Sequence, residues 1–466
     1  MMTTGCSMGA YHALNFFLQH PDVFTKVIAL SGVYDARFFV GDYYNDDAIY
    51  QNSPVDYIWN QNDGWFIDRY RQAEKELPMN YLVISPYYPQ NFQQFTIELA
   101  NKGITVLGIG QESYEQLDEP LRNSLTEYFR VDNLENIDEV KRAVAFLFYK
   151  HGPIGRIESH NEYWLELDAT LREQFNVFGA KPEDLKKTKY KSEMKKLFKK
   201  AGVPVVPGAV IKTEADVDQA VKEIGLPMIA KPDNGVGAAA TFKLETEDDI
   251  NHFKQEWDHS TLYFFEKFVT SSEICTFDGL VDKDGKIVFS TTFDYAYTPL
   301  DLMIYKMDNS YYVLKDMDPK LRKYGEAIVK EFGMKERFFH IEFFREGDDY
   351  ITIEYNNRPA GGFTIDVYNF AHSLDLYRGY AAIVAGEEFP ASDFETQYCL
   401  ATSRRANAHY VYSEEDLLAK YSQQFKVKKV MPAAFAELQG DYLYMLTTPS
   451  RQEMEQMIAD FGQRQE

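Results

Sequence analysis

Short apolar runs alternate along much of this chain with stretches whose apolar positions recur every three or four residues, the pattern of strands interleaved with amphipathic helices. "YLVISPYY" from residue 81 reads as a buried strand. "NFQQFTIELANKG" follows with Phe92, Phe95, Leu99 and Ala100 on one helical stripe and Gly103 as its stop, before a second strand, "ITVLGIG". "IDEVKRAVAFLFYKHG" continues as a helix and "GRIESHNEYWLELDATL" as a strand-like run, so residues 79–185 are expected to form an α/β layer with a parallel sheet. Next, "KSEMKKLFKKAGVPVVPG" places Met194, Leu197, Phe198 and Ala201 on one face, stopped by Gly202 with Pro204 beyond. Further on, "FHIEFF" and "YITIEYN" are strands joined by a turn at "REGDD", a hairpin. From residue 391 strand-like and helical patterns alternate again, read as a C-terminal subdomain over 391–466 that closes a cleft.

Ahead of all this, "AYHALNFFLQHPDVF" reads as a helix ending near Pro21 and "KVIALSG" as a buried strand. The polar stretch "RQAEKELPMN" marks a boundary, so residues 1–78 are a separate segment.

Composition narrows the classes. A chain of 466 residues is expected to hold roughly three or four domains. Hydrophobic residues at 45%, charged residues at 26% and a mean hydropathy of -0.41 fit a globular protein. The 72 acidic residues against 49 basic ones give a net charge of -23, which repels phosphate backbones and anionic lipid and argues against nucleic acid as a partner. Cys6, Cys275 and Cys399 are widely spaced and odd in number, as in a reducing compartment. No apolar run approaches the ~20 residues of a membrane span, and the first residues given lack the basic start and apolar stretch expected of a signal peptide. The expectation is a cytoplasmic protein with no membrane partner.

Two stretches carry candidate chemistry. Gly5-Cys6-Ser7-Met8-Gly9 has the G-x-S-x-G form of a nucleophile elbow, in which a strand–turn–helix holds the serine hydroxyl near backbone N–H donors. Together with "SPVDYIWNQNDGWFIDRYRQ" it resembles esterases of the α/β-hydrolase superfamily, with Ser7 at the nucleophile position. Only Met1 to Thr4 lie ahead of Gly5, and His12 and His20 sit on the helix after the elbow, where neither can act as its base. The expectation is a truncated esterase segment rather than a working hydrolase.

The second stretch is longer. In "LPMIAKPDNGVGAAATF" a strand delivers Lys231 and a small-residue loop follows with Gly235 and Gly237, a combination suited to phosphate oxygens, although no Walker loop is present. "LYFFEKFVTSSEI" is an apolar strand carrying Glu266 and Lys267, with Glu273 beyond. In the hairpin, each strand carries one glutamate among apolar neighbours, Glu342 and Glu354, and alternation puts Glu354, Asn356 and Arg358 on one face. Burying two carboxylates without a cation costs several kcal/mol per charge, on the order of the penalty for a stranded ion. Mg²⁺ is the fitting counter-ion, since it takes one or two carboxylates together with substrate phosphates. Arg358 can then hold a transferring phosphoryl group, the plainer alternative being a core ion pair of Glu354 with Arg358.

These elements in this order resemble the ATP-grasp superfamily, in its carbamoyl-phosphate-synthase-like and biotin-carboxylase-like branch, over residues 80–466. The resemblance implies a mixed α/β and α+β chain: an α/β pre-ATP-grasp domain at 79–185, an ATP-grasp domain at 186–390 whose two α+β subdomains grip ATP, and the C-terminal subdomain. It makes Lys191 and Lys231 phosphate-contacting lysines, Glu266, Lys267, Phe268 and Val269 the adenine hinge, and Glu273 a ribose candidate. Glu342, Glu354 and Asn356 would coordinate Mg²⁺ or Mn²⁺, and Arg358 would face the γ-phosphate and acyl phosphate. The glycine loop "GVGAAA" is richer in alanine than in many relatives. The implied activity is an ATP-dependent ligation of a small-molecule carboxylate to an amine or ammonia, and a homodimer is compatible with it.

Overall fold

A computed structural model describes residues 2–6, 13–14, 17–20, 23, 26–30, 79–234, 240–297, 302, 307–390, 395–432, 436 and 439–465. The chain divides into two compact units, Met1–Met79 and Asn80–Glu466. In the first, strands β1 (Met2–Cys6) and β2 (Lys26–Leu30) pair in parallel, with Gly5 opposite Ala29. Parallel neighbours require a crossover, and the helical residues 13–14 and 17–19 lie within it. Ser7 and His12 lie outside the described residues.

The second unit begins with a parallel sheet of order β5-β4-β3-β6, made of β3 (Asn80–Ile84), β4 (Thr105–Gly110), β5 (Glu127–Arg130) and β6 (Ile154–Glu158). The five residues of β3 are all buried, because helices cover both faces of such a sheet and leave no position for polar alternation. The helix Ile137–His151 packs Val140, Val144 and Leu147 against Leu82, Leu107 and Ile109. The strand-like reading of "GRIESHNEYWLELDATL" holds only for Ile154–Glu158, and a helix, Leu165–Gln174, follows. Its buried face, Leu165, Asp168, Ala169 and Arg172, has helical spacing that two charges disguise. Those charges are compensated inside the layer: Arg172 Nη2 lies 2.5 Å from Glu158 Oε1 and 3.8 Å from Asp168.

An antiparallel sheet of order β7-β10-β8-β9 comes next, with β7 (Gly208–Ile211), β8 (Met228–Pro232), β9 (Phe242–Leu244) and β10 (Tyr263–Lys267). The helix that introduces it, Lys191–Ala201, buries Met194 and Phe198 and stops at Gly202, whose φ of +72° is the left-handed conformation that suits glycine.

A larger antiparallel sheet completes the unit, in the order β16-β15-β11-β13-β14-β17-β19-β18. Its strands are β11 (Ile274–Val281), which also pairs with β12 (Ile287–Thr291), then β13 (Phe293–Tyr295), β14 (Ser310–Val313), β15 (Arg337–Glu346), β16 (Asp349–Asn356), β17 (Tyr398–Arg404), β18 (Phe425–Val430) and β19 (Tyr442–Thr448). The C-terminal strands are thus built onto the sheet that carries the glutamate hairpin, with Ser310 of β14 opposite Thr402 of β17. Helix Pro319–Phe332 crosses β11 so closely that a Cβ on Gly325 would stand 2.1 Å from Phe277 Cδ1. Gly325→Ala is therefore expected to lose about 1–3 kcal/mol through overpacking, more than the helix propensity it gains. A lowered urea midpoint at unchanged slope would register it.

The parallel layer is locked to the large sheet through charge. Glu158, at the end of β6, accepts from Arg172 and also from Arg337 Nη1 of β15 at 2.5 Å, and Arg156 pairs with Glu336. This fixes the carboxyl ends of β3, β4 and β6 against the end of the hairpin.

Candidate active site

Lys231 sits at the end of β8, opposite Phe264 of β10, and lines a slot between the smaller antiparallel sheet and the hairpin. Val206, Ile229, Phe268, Val269, Phe344 and Ile351 supply its apolar walls. Lys231 Nζ lies 3.6 Å from one oxygen of Glu266, and the buried Lys195 pairs with the other. Lys195 also donates to the carbonyl of Val206 at 3.3 Å. Burial would raise the Glu266 pKa, but the two ammonium groups more than reverse this and hold it below the ordinary carboxylate range. Burial lowers the pKa of Lys195, and Glu266 opposes that only in part.

The start of the Lys191–Ala201 helix is tied to the turn after β8. Asp233 accepts from Ser192 N at 2.8 Å and from Ser192 Oγ at 2.7 Å, while its carbonyl accepts from Lys191 N at 2.9 Å. Acceptors at the first turn satisfy helix N–H groups and bring Lys191 beside Lys231. Lys191 Nζ then reaches to 3.7 Å from Glu354 Oε1 on the hairpin.

On the hairpin, Glu342 of β15 and Glu354 of β16 are direct cross-strand partners, next to the pair His340 and Asn356, with a register shift beyond Glu342. All four side chains share one face, because alternate residues of paired strands point the same way. His340 is buried between two acids: its Nδ1 lies 2.6 Å from Asp278 and its Nε2 3.2 Å from Glu342. Burial alone would lower its pKa, yet Asp278 and Glu342 raise it to about 9, so the ring is cationic at neutral pH. Burial likewise pushes Glu342 up, but His340, with Arg358 and Lys231, holds it below the usual range. Glu354 goes the other way, raised by burial against the pull of Lys191 and raised further by the charge of Glu342 facing it. Two carboxylates opposed on one face repel, which is the condition that a shared cation relieves. Among the described residues no group of three or more His, Cys, Asp and Glu side chains is placed to hold a metal alone. Two carboxylates and the Asn356 amide suit an ion that completes its shell with water and phosphate oxygens.

Arg358, just past β16, turns away from Glu354. Its Nε donates to Glu162 at 2.9 Å and its Nη1 to the Pro359 carbonyl at 2.9 Å. Glu162 belongs to the parallel layer, so the arginine stands at the junction of layer and hairpin. There it lines a cavity of about 1150 Å³ that runs along the carboxyl ends of β3, β4 and β6. Ligands of open α/β sheets bind at such strand ends. Ser85 and His160, which follow β3 and β6, both line the cavity with φ of +55° and +58°. Non-glycine residues held in that region cost on the order of 1–3 kcal/mol each and gather at functional sites. His160 is stacked on Phe95 at 4.2 Å, and burial lowers its pKa to about 4, so it meets the cavity as a neutral ring.

A model of the family described as "ATP-grasp domain" matches residues 216–366, a span containing Lys231, Glu266, both hairpin glutamates, Asn356 and Arg358. That stretch carries an ATP-grasp domain. A second model, described as "Putative esterase", matches residues 1–86. The L-arginine-specific L-amino acid ligase of Bacillus subtilis is 24% identical over 322 residues, which cover 64% of this chain and 75% of that protein. Among solved structures, the L-amino acid ligase from Bacillus licheniformis has a TM-score of 0.61 at 13% identity, covering 82% of this chain and 96% of that one. The biotin carboxylase domain dimer of the Hydrogenobacter thermophilus 2-oxoglutarate carboxylase, solved with MgADP, ADP and bicarbonate, has a TM-score of 0.59 at 17% identity, covering 81% and 89%. At such identities these structures speak for the ATP-grasp fold alone.

Within the ATP-grasp frame the residues singled out by sequence are distributed unevenly. Lys191, Lys231, Glu266, Phe268, Val269, Glu342, Glu354 and Asn356 line the slot or the adjoining hairpin face. Lys267 lines the slot, but its ammonium is spent on the carbonyls of Gly225 and Leu226, at 3.1 and 2.8 Å. Glu273 is drawn elsewhere: it is largely exposed, lies 3.4 Å from Arg345 and lines a different cavity. Gly235 and Gly237 lie outside the described residues. The core pair of Glu354 with Arg358 does not form, since their partners are Lys191 and Glu162. Sequence reasoning missed Lys195, Asp233, His340 with Asp278, and Glu162. Lys195 lies one helical turn after Lys191, and Asp233 two residues after Lys231, so spacing could have raised both. Nothing in the sequence brings Asp278 to His340 or Glu162 to Arg358.

Proposed function

We propose that the protein is an ATP- and Mg²⁺-dependent ligase that joins a small-molecule carboxylate to an amine or ammonia through an acyl phosphate, releasing ADP and phosphate. The observation that carries this reading is Arg358 standing at the mouth of a large cavity, one strand end from two opposed carboxylates and two lysines. The domain roles follow: residues 79–185 contribute strand ends to the substrate cavity, 186–390 hold the nucleotide, and 391–466 extend the central sheet beside the cavity. Residues 1–78 form the esterase-like segment.

In this mechanism Lys191 and Lys231 neutralise phosphate oxygens, while the apolar slot and the backbone from Glu266 to Val269 receive the adenine. Glu342, Glu354 and Asn356 would hold the divalent ion, which supplies charge neutralisation at the phosphates when bound. The substrate carboxylate oxygen attacks the γ-phosphorus and ADP leaves. The amine nitrogen then attacks the acyl carbon, phosphate leaves, and the amine proton passes to solvent. Arg358, with a planar fork and a place at the cavity mouth, orients the acceptor carboxylate and the phosphoryl group passing to it. Positioning and neutralisation carry such transfers, so a covalent nucleophile is not required. The two buried free cysteines, Cys275 and Cys399, accord with a reducing, cytoplasmic setting, and no helix among the described residues is long and apolar enough to cross a membrane.

An acid-by-amine matrix read by ADP release tests the ligase directly: ADP formation should need both partners. ATP turnover indifferent to every acid and amine would overturn it. The esterase match favours a second reading, which an ester hydrolysis abolished by Ser7→Ala and indifferent to ATP would establish.

A further inference from the structure

The cavity beside Arg358 is not charge-balanced. Two of its acidic side chains are answered, Glu162 by Arg358 at 2.9 Å and Glu166 by Lys189 at 2.8 Å. Among the described residues the other two are not answered by a cation. Glu135 accepts only the Tyr163 hydroxyl at the rim, besides contacts of its own backbone. Among the described residues no lysine, arginine or histidine nitrogen stands within ion-pair distance of Glu112, and its Oε2 is buried with no hydrogen-bond partner. Glu112 lines the cavity without a counter-ion, and a cationic group of a ligand would supply the charge-assisted partner that the protein does not.

Place in the sheet sets the spacing. Glu162, which holds Arg358 of the hairpin at 2.9 Å, follows β6, whereas Glu112 follows β4, with β3 between them. Two strand spacings separate the strand ends that carry Glu112 and Glu162 by roughly 10 Å. An α-amino group, one carbon from its own carboxylate, does not bridge that span, but an ammonium or guanidinium at the end of a side chain does. At about 1150 Å³ the cavity is also far larger than bicarbonate or ammonia requires, since organic ligands of drug size occupy roughly 300–1,000 Å³. Tyr88, Phe92, Trp164 and Phe363 line the space in which an aliphatic stem would lie.

The geometry points to a substrate with a carboxylate at Arg358 and a second, distal cationic group at Glu112: an organic acid or amino acid carrying a side-chain ammonium or guanidinium. This rests on the ligase reading for the role of the cavity, and Glu112 is the residue that sets specificity. A neutral isostere leaves Glu112 unpaired and loses the contact, a difference worth roughly 30-fold or more in half-saturation.

The test uses the full chain with ATP and Mg²⁺ and two matched probe pairs, L-arginine with L-citrulline and L-lysine with L-norleucine. Half-saturation is read by thermal shift, which needs no turnover. At least one cationic probe should half-saturate at a concentration roughly 30-fold or more below its neutral match. Glu112→Gln should erase that preference while leaving the neutral probe and the half-saturating ATP concentration unchanged. No shift from either cation, parity within both pairs, or a preference that survives Glu112→Gln would each overturn the proposal. ADP release from the same mixtures, supplemented with an amine panel, reports on the ligase reading separately.

Discussion

Glu342→Gln and Glu354→Gln should each cut ATP-dependent turnover on the order of 100-fold or more, the scale seen when one group aimed at developing charge is removed. Their effects on the metal-free protein should diverge. Glu354 is the acid whose proton affinity is raised, because it faces Glu342 across the ladder. Neutralising it relieves a like-charge pair, so Glu354→Gln should unfold at a higher temperature than the unmodified chain, by a contribution of about 0.2–1 kcal/mol. Glu342 instead answers the His340 cation, and Glu342→Gln leaves that ring half-paired, so this variant should unfold earlier. Added Mg²⁺ should stabilise the unmodified protein more than either variant. Calorimetric unfolding with and without the ion reads all of this, and unchanged turnover in both variants would remove the metal assignment.

Arg358→Lys should reduce turnover by about a thousandfold, within the range that a phosphoryl-stabilising arginine contributes. The ATP concentration for half-maximal rate should move little, because Arg358 faces the cavity rather than the nucleotide slot. Lysine keeps the charge but not the fork, and cannot bridge Glu162, the Pro359 carbonyl and a substrate group at once. Single-turnover rapid quench separates the outcomes. A slowed burst of phosphoryl transfer with intact nucleotide binding supports the role, and an unchanged burst places Arg358 in structure only.

What could be read from sequence divides along a physical line. The hairpin was legible because two glutamates interrupting apolar strands break a period-2 pattern that nothing else explains, and Lys231 because a strand ending in lysine before a glycine loop is locally complete. The helix Leu165–Gln174 was not, since Asp168 and Arg172 are buried charges whose compensation by Glu158 comes from another element. Lys267 and Glu273 show the limit of position: both lie near the slot in sequence, but carbonyls of Gly225 and Leu226 claim the first and Arg345 draws off the second. The cavity was invisible for a related reason, because its walls come from strand ends and loops that only the sheet order brings together. Likewise the run from residue 391 carried its strands, but pairing of β17 with β14 is a long-range choice that periodicity does not encode.

The Glu266 carboxylate is shared between Lys195 and Lys231. In the proposed cycle Lys231 must exchange Glu266 for phosphate and return after each turnover. A single ion pair would make that departure expensive, because it would strand a buried anion. With Lys195 staying behind as a permanent counter-ion, Lys231 can be lent out and recovered at little energetic penalty, so Lys195→Met would tax every turnover without touching a nucleotide atom.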